Sequence, residues 1–213
     1  ESFYAEQDID LRMGARVEAI DPAARTVSLG GETLRYDDLV LTTGSQPNRL
    51  PAAIGGDLDG VHVVRDLADV DAMAPRFVEG AKVLIVGGGY IGLEAASVAA
   101  KLGLHVTLVE MAERILQRVA CPQTSDYFRA LHRAEGVEIL EGVGLDQLIG
   151  EDRVSGAKLT DGTELKIDFA IVGVGIVPEV SLAKAAGVGI ENGIRTDAMG
   201  RTSLQGIWAA GDC

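Results

Sequence analysis

The residues whose types and spacing most clearly suggest chemistry are Gly87-Gly88-Gly89-Tyr90-Ile91-Gly92, the pattern G-x-G-x-x-G. Alone the pattern is weak, but its surroundings strengthen it. An apolar run at residues 83–86 precedes it, and the spacing predicts a helix over about 91–102, so the glycines fall at a strand-to-helix turn. Gly87 allows the tight turn, Gly89 carries no side chain to hold a diphosphate off the backbone, and Gly92 lets the helix lie close on the strand. The turn and helix start, including Gly88, Tyr90 and Ile91, offer amide donors and partial positive charge to phosphate oxygens.

A second apolar run, residues 104–110, ends at Glu110. An acid roughly 20 residues beyond such a loop bonds the adenosine ribose 2′-hydroxyl, and would repel a 2′-phosphate. The pattern therefore suits NAD(H) better than NADP(H). Glu113 adds negative charge nearby, while Arg114 and Arg118 pull the other way. The plainer alternative for Glu110 is a solvated strand end.

Positioning such a site needs strands and helices in alternation, and the composition suits that. The chain has 213 residues, 47% hydrophobic but only 4% aromatic, with 27 glycines, as expected of an α/β protein with a substantial core. The formal net charge of −13, without a basic block, disfavours nucleic acid and anionic membrane as partners. No apolar run reaches membrane-spanning length. The histidines His62, His105 and His132 lack metal-ligand spacing, so no metal site is expected. The carboxylates read as solvated faces. Cys121 and Cys213 form no CxxC pair, which makes a cytoplasmic setting the default expectation. The ends, Glu1 and Ala209-Ala210-Gly211-Asp212-Cys213, read as those of a piece of a longer polypeptide.

Further elements are expected as a hairpin around Gly30-Gly31, a buried strand at 39–42, a helix over 66–73 and a junction at 75–80. A helix capped by Thr124 or Ser125 should follow, then a strand at 137–140, an irregular meander, and strands at 169–172 and 207–210. Two stretches match without a gap: residues 31–37, continuing to Gly44 and Pro47, and residues 162–168, continuing to Gly175 and Pro178. Each is a hairpin, an Asp, an apolar strand, a Gly and a Pro. They read either as a common local pattern or as two related domains, each built around a nucleotide.

The octapeptide 87–94 (GGGYIGLE), Val109-Glu110, Arg114-Ile115-Leu116-Gln117-Arg118-Val119, residues 128–132 and 172–178, and the terminal run from Ile207 to Cys213 resemble the FAD-dependent pyridine nucleotide-disulfide oxidoreductase superfamily. Within it they are most similar to the ferredoxin, putidaredoxin and rubredoxin reductase branch. The resemblance implies an α/β fold with an antiparallel meander, in which a Rossmann-like NAD domain (77–198) is inserted in a partial FAD domain (1–76, with a returning strand at 199–213). It implies NAD(H) and, in the full-length protein, FAD as cofactors. Hydride would pass from NADH to FAD, and electrons then to a small iron–sulfur protein, a ferredoxin or rubredoxin. By the same match, Thr43, Gly44, Arg65 and Asp212 lie on the FAD side. Gly173, Val174 and Gly175 lie under the NAD, and Arg118 lies near its adenosine ribose. Glu94, the one residue expected at the reacting centre, would orient the nicotinamide or merely favour the positive end of its helix. Tyr90 would gate the nicotinamide pocket or fill the loop. The absent FAD glycine loop and C-terminal domain imply that this stretch alone binds FAD poorly and is inactive. The lack of a redox-active cysteine pair speaks against the disulfide-reductase branch. Competing expectations are a non-catalytic NAD-sensing or scaffold module of the apoptosis-inducing-factor type, and an NADH oxidase or nitrite reductase flavoprotein.

Overall fold

The computed structural model describes residues 2–213, and they form two compact units. One comprises residues 47–176 and the other residues 2–46 with 177–213. The strands are β1 Val17–Asp21, β2 Thr26–Leu29, β3 Glu32–Arg35, β4 Leu39–Leu41, β5 Ser45–Pro47, β6 Val61–Val63, β7 Lys82–Val86 and β8 His105–Glu110. They continue as β9 Glu138–Glu141, β10 Leu145–Gly150, β11 Val154–Leu159, β12 Glu164–Lys166, β13 Phe169–Val172, β14 Ile176–Pro178 and β15 Ile207–Ala209. The helices are α1 Ser2–Glu6, α2 Leu67–Met73, α3 Tyr90–Lys101, α4 Pro122–Ala134 and α5 Ser181–Ala185.

The larger unit is built on a five-stranded, all-parallel sheet in the order β6-β13-β7-β8-β9. Strand β7 is buried almost throughout because both faces are covered. The period of two divides its side chains cleanly. Val83 and Ile85 pack with Leu93, Ala96 and Ala99 of α3, whereas Leu84 and Val86 pack with Leu148, Ala157 and Leu159 of the antiparallel meander β10-β11-β12. The chain leaves β7 through α3 toward β8, while β13 returns on β7's other side. The strand order thus reverses at β7, which opens a crevice at the carboxyl ends of β7 and β13.

The smaller unit repeats part of this plan. A meander β1-β2-β3 turns at Gly30 and Gly31, both with positive φ, and leads into β4, which pairs in parallel with β15. The two matching stretches of sequence therefore fold alike: hairpin, parallel strand, then a glycine with positive φ (Gly44, +69°; Gly175, +100°).

The compact units are drawn differently from the expected cofactor domains, and one helix starts earlier than expected. The compact units divide at Gln46/Pro47 and Ile176/Val177, within β5 and β14, whereas the expected cofactor domains meet at 76/77 and 198/199. Residues 47–76 belong with the parallel sheet because β6, unrecognised in the sequence, pairs with β13 (Val61↔Ala170 to Val63↔Val172). Residues 177–198 belong with the other unit because Ala183, Val188 and Ile194 pack against Leu41 and Ile207. Finally, α4 starts at Pro122, before Thr124 and Ser125, because proline at the first helical position loses an amide that would be unpaired anyway.

Candidate functional site

The glycine loop crosses from the end of β7 to the start of α3. Gly87 has φ +109°, and a Cβ there would stand 2.4 Å from the Gly173 carbonyl oxygen. A Cβ on Gly92 would stand 2.0 Å from the Gly87 carbonyl oxygen, so loop and helix touch backbone to backbone. Gly89 differs: its φ of −81° is ordinary, and a Cβ would meet nothing within 4 Å. The space above Gly89 is open, and the loop gains nothing internal from the missing side chain. Among the described residues, the amides of Gly89, Tyr90, Ile91 and Gly92 find no protein acceptor, as the first turn of a helix requires.

Glu110 points into this loop. Its Oε2 accepts from the Gly88 amide at 2.7 Å and its Oε1 from the Ala112 amide at 2.8 Å. Each carboxylate oxygen can accept a further hydrogen bond. Residues 111–121 then wrap beneath the loop. The Leu116 amide donates to the Gly88 carbonyl at 2.9 Å, and Ile115 is fully buried, with its Cγ2 2.7 Å from where a Gly88 Cβ would lie. Arg114 donates to Ser125 Oγ (2.5 Å) and the Ala120 carbonyl (2.9 Å), so its guanidinium is committed to the wrap. Arg118 is exposed, without a protein partner among the described residues.

The second lip of the crevice is the turn after β13. Gly173 lies against Gly92, 3.6 Å from its nitrogen to a Cβ built on Gly173, and Val174 and Gly175 are exposed. Asn48 holds this turn: its amide donates to the Gly175 carbonyl (3.0 Å) and its Nδ2 to the Val174 carbonyl (3.3 Å). Glu94, Tyr90 and Ile91 are exposed on the first turns of α3. The structure thus brings together Gly87, Gly88, Gly89, Tyr90, Ile91, Gly92, Glu110, Gly173, Val174 and Gly175.

Thr43, Gly44 and Asp212 belong to the smaller unit. They follow the neighbouring parallel strands β4 and β15 at the same end. Thr43 Oγ1 donates to the Glu179 carbonyl at 2.6 Å, and Asp212 is exposed. Arg65 sits in the larger unit with an exposed side chain; its amide donates to Asp69 Oδ2 at 2.8 Å.

A family model described as pyridine nucleotide-disulphide oxidoreductase matches residues 2–213. The chain belongs to that family. A ferredoxin–NAD(P)(+) reductase of a Sphingomonas species is 44% identical over 214 residues, covering 100% of this chain and 51% of the relative. A crystal structure of a ferredoxin reductase from Rhodopseudomonas palustris superposes with TM-score 0.93 at 37% identity, over 100% of this chain and 53% of that one. The covalent putidaredoxin reductase–putidaredoxin complex gives TM-score 0.92 at 38% identity, over 100% and 52%. The chain thus spans about half the length of these relatives, and places with the ferredoxin and putidaredoxin reductase-like branch of the family. Cys121 and Cys213 are both free thiols.

Some residues of this pyridine nucleotide-disulphide oxidoreductase domain escaped the sequence reading. Asn48 is one; its partner turn lies more than a hundred residues away. Glu141 is another, and corrects the view that the carboxylates are only solvated faces. Its side chain is 15% exposed and takes Arg129 Nε at 2.6 Å, Arg129 Nη2 at 2.9 Å and the Ile115 amide at 2.8 Å. The available signal was its place at a strand end, as for Glu110. His132, on α4, is buried, with Nε2 3.0 Å from the Leu93 carbonyl and Nδ1 2.9 Å from that of Phe128, a structural link to α3.

Burial works against charge on Glu141, but the hydrogen bonds from Arg129 and the Ile115 amide, with Arg129 and Arg133 charges, outweigh it and hold the carboxyl below its usual range. A carboxyl lowered in the folded state stabilises the protein above the unfolded-chain value of about 4.3, and that contribution fades as pH falls through the lower folded value. Glu141→Gln is expected to lower stability near pH 7 by about 1–2 kcal/mol, since it weakens charge-assisted hydrogen bonds. The gap from wild type should begin to narrow below about pH 4.3 and close as the pH falls through the lower folded value. Thermal melts of both proteins across this pH range check it; a gap of constant size would refute the role of the charge.

Proposed function

We propose that this chain is the NADH-binding portion of a flavin-dependent ferredoxin or rubredoxin reductase. In this reading it passes hydride from NADH to FAD, and electrons go on to a small iron–sulfur protein. One observation carries the NADH part: four amides at the start of α3, without a partner among the described residues, lie by the open space over Gly89, with the Glu110 carboxylate bonded to the same loop. A diphosphate suits those donors and a ribose diol suits the carboxylate. Val174 and Gly175 would lie against the nicotinamide half, Glu94 would orient its carboxamide, and Arg118 would reach the adenosine ribose. Thr43, Gly44 and Asp212, at the carboxyl ends of β4 and β15, would hold FAD. That placement is where open parallel sheets bind ligands. The flavin, when bound, supplies the two-electron to one-electron conversion; the chain's own residues bind, orient and exclude water.

The relatives support the acceptor class, since those named above are reductases of ferredoxin or of putidaredoxin. The reading includes a cytoplasmic setting, in keeping with two unpaired thiols. Its domain assignment gives residues 77–198 to NADH and residues 1–76 with 199–213 to FAD.

Calorimetric titration of the chain with NADH tests the first half, with saturable one-to-one binding as the expected result. The polypeptide extended to its relatives' length should be yellow and should reduce an iron–sulfur protein with NADH. A colourless extended protein that binds NADH and reduces nothing would leave a binding module in place of an enzyme.

A further inference from the structure

We propose that Glu141 and Arg129 are a positioning clamp that sets dinucleotide affinity by fixing residues 111–121, the wrap beneath the glycine loop. The inference rests on the NADH reading above and extends it to residues that touch no part of the cofactor.

The parallel register pairs Glu110 of β8 with Glu141 of β9, so two carboxylates stand at neighbouring strand ends. They have different work. Glu110 holds Gly88 and Ala112; Glu141 holds the Ile115 amide at 2.8 Å. Arg129 reaches Glu141 with two nitrogens and Asp126 with a third (2.6 Å), so the fork is anchored along α4. The pair is mostly shielded from solvent, with side chains 19% and 15% exposed, where such contacts are screened least.

Between the clamp and the glycine loop runs an unbroken series of contacts. Glu141 holds Ile115; the Ile115 side chain lies under Gly88; the Leu116 amide bonds to the Gly88 carbonyl. Leu116 has φ +55°, a left-handed conformation that is costly for a leucine. It persists where its surroundings determine it, and Leu116 is buried with its amide bonded. On the other side Ser125 Oγ donates to the Ile115 carbonyl at 2.7 Å, so Ile115 is held at its amide from β9 and at its carbonyl from α4. A surface ordered in advance spares the cofactor the entropy of ordering it on binding.

The test uses Arg129→Met, Arg129→Lys and Glu141→Gln in the full chain, with NADH and ADP-ribose titrated calorimetrically well below the melting temperature. Arg129→Met is expected to raise the Kd of NADH about tenfold and that of ADP-ribose by the same factor, because the clamp acts on the adenosine half. Arg129→Lys keeps the charge but not the fork and should recover only part of the loss; Glu141→Gln keeps an acceptor for Ile115 and should also lose less than Arg129→Met. If Arg129→Met fails to fold, Glu141→Gln carries the test. Lower melting temperatures with unchanged Kd values would make the pair merely structural and overturn the proposal. A wild-type chain that takes up no NADH would overturn the functional reading itself, and this inference with it.

Discussion

Gly89→Ala is expected to leave the fold intact while weakening NADH binding by about tenfold or more, equivalent to about 1.4 kcal/mol. A Cβ at Gly89 meets no protein atom, and the backbone there is extended, so the folded chain accepts alanine without strain. Alanine is a poorer helix cap than glycine by less than about 1 kcal/mol, and the stiffer unfolded chain returns a similar amount, about 0.4–1 kcal/mol. The melting temperature should therefore barely move. The methyl group would instead occupy the space where a diphosphate must approach the amides of Tyr90 and Ile91. Gly92→Ala is the contrasting case. Its Cβ would fall 2.0 Å from the Gly87 carbonyl oxygen, so the backbone must shift. Stability should drop by about 2–3 kcal/mol, and binding with it. Thermal melts and calorimetry on the two variants separate a ligand-facing glycine from a packing one. Equal NADH affinity in wild type and Gly89→Ala would remove the diphosphate from this loop.

The second large effect concerns the choice between NADH and NADPH. Two charges about 4 Å apart interact by about 4 kcal/mol at an effective dielectric near 20, so a carboxylate beside the ribose strongly disfavours a 2′-phosphate. Glu110 also supports Gly88 and Ala112, and an arginine there would remove both acceptors along with the charge. Glu110→Gln keeps one acceptor oxygen. Met111 is 79% exposed at the next position, so Met111→Arg adds a cation without disturbing the core. The double variant is expected to shift the ratio of NADPH to NADH affinity by about a hundredfold toward NADPH, or about 2.7 kcal/mol. Calorimetric titration with both nucleotides measures it. A ratio that stays put would show that Glu110 serves only to hold the loop.

Local spacing made the first part of the site legible. A strand, three closely spaced glycines, a helix and an acid about twenty residues later form a pattern whose meaning needs no distant partner, and β7, α3 and β8 follow it closely. The internal match of residues 31–47 with 162–178 was readable for the same reason, because each copy is a hairpin and strand contiguous in the chain. The short strand β6 was not legible. Its three residues carry no periodicity, and only pairing with β13 makes them a strand.

The chain's linear order by itself determined that a glycine turn joins a strand to a helix here, which glycines form it, and that an acid ends the next strand. Those are properties of backbone conformations and neighbours along the chain. Tertiary structure alone decided that the Gly173 carbonyl closes on Gly87, that Asn48 holds the opposite lip, and that Glu141 braces the Ile115 peptide while Glu110 faces the loop. Each of those depends on which strands lie side by side in a parallel sheet. That choice is made by burying both faces of the whole sheet at once, and no local segment records it.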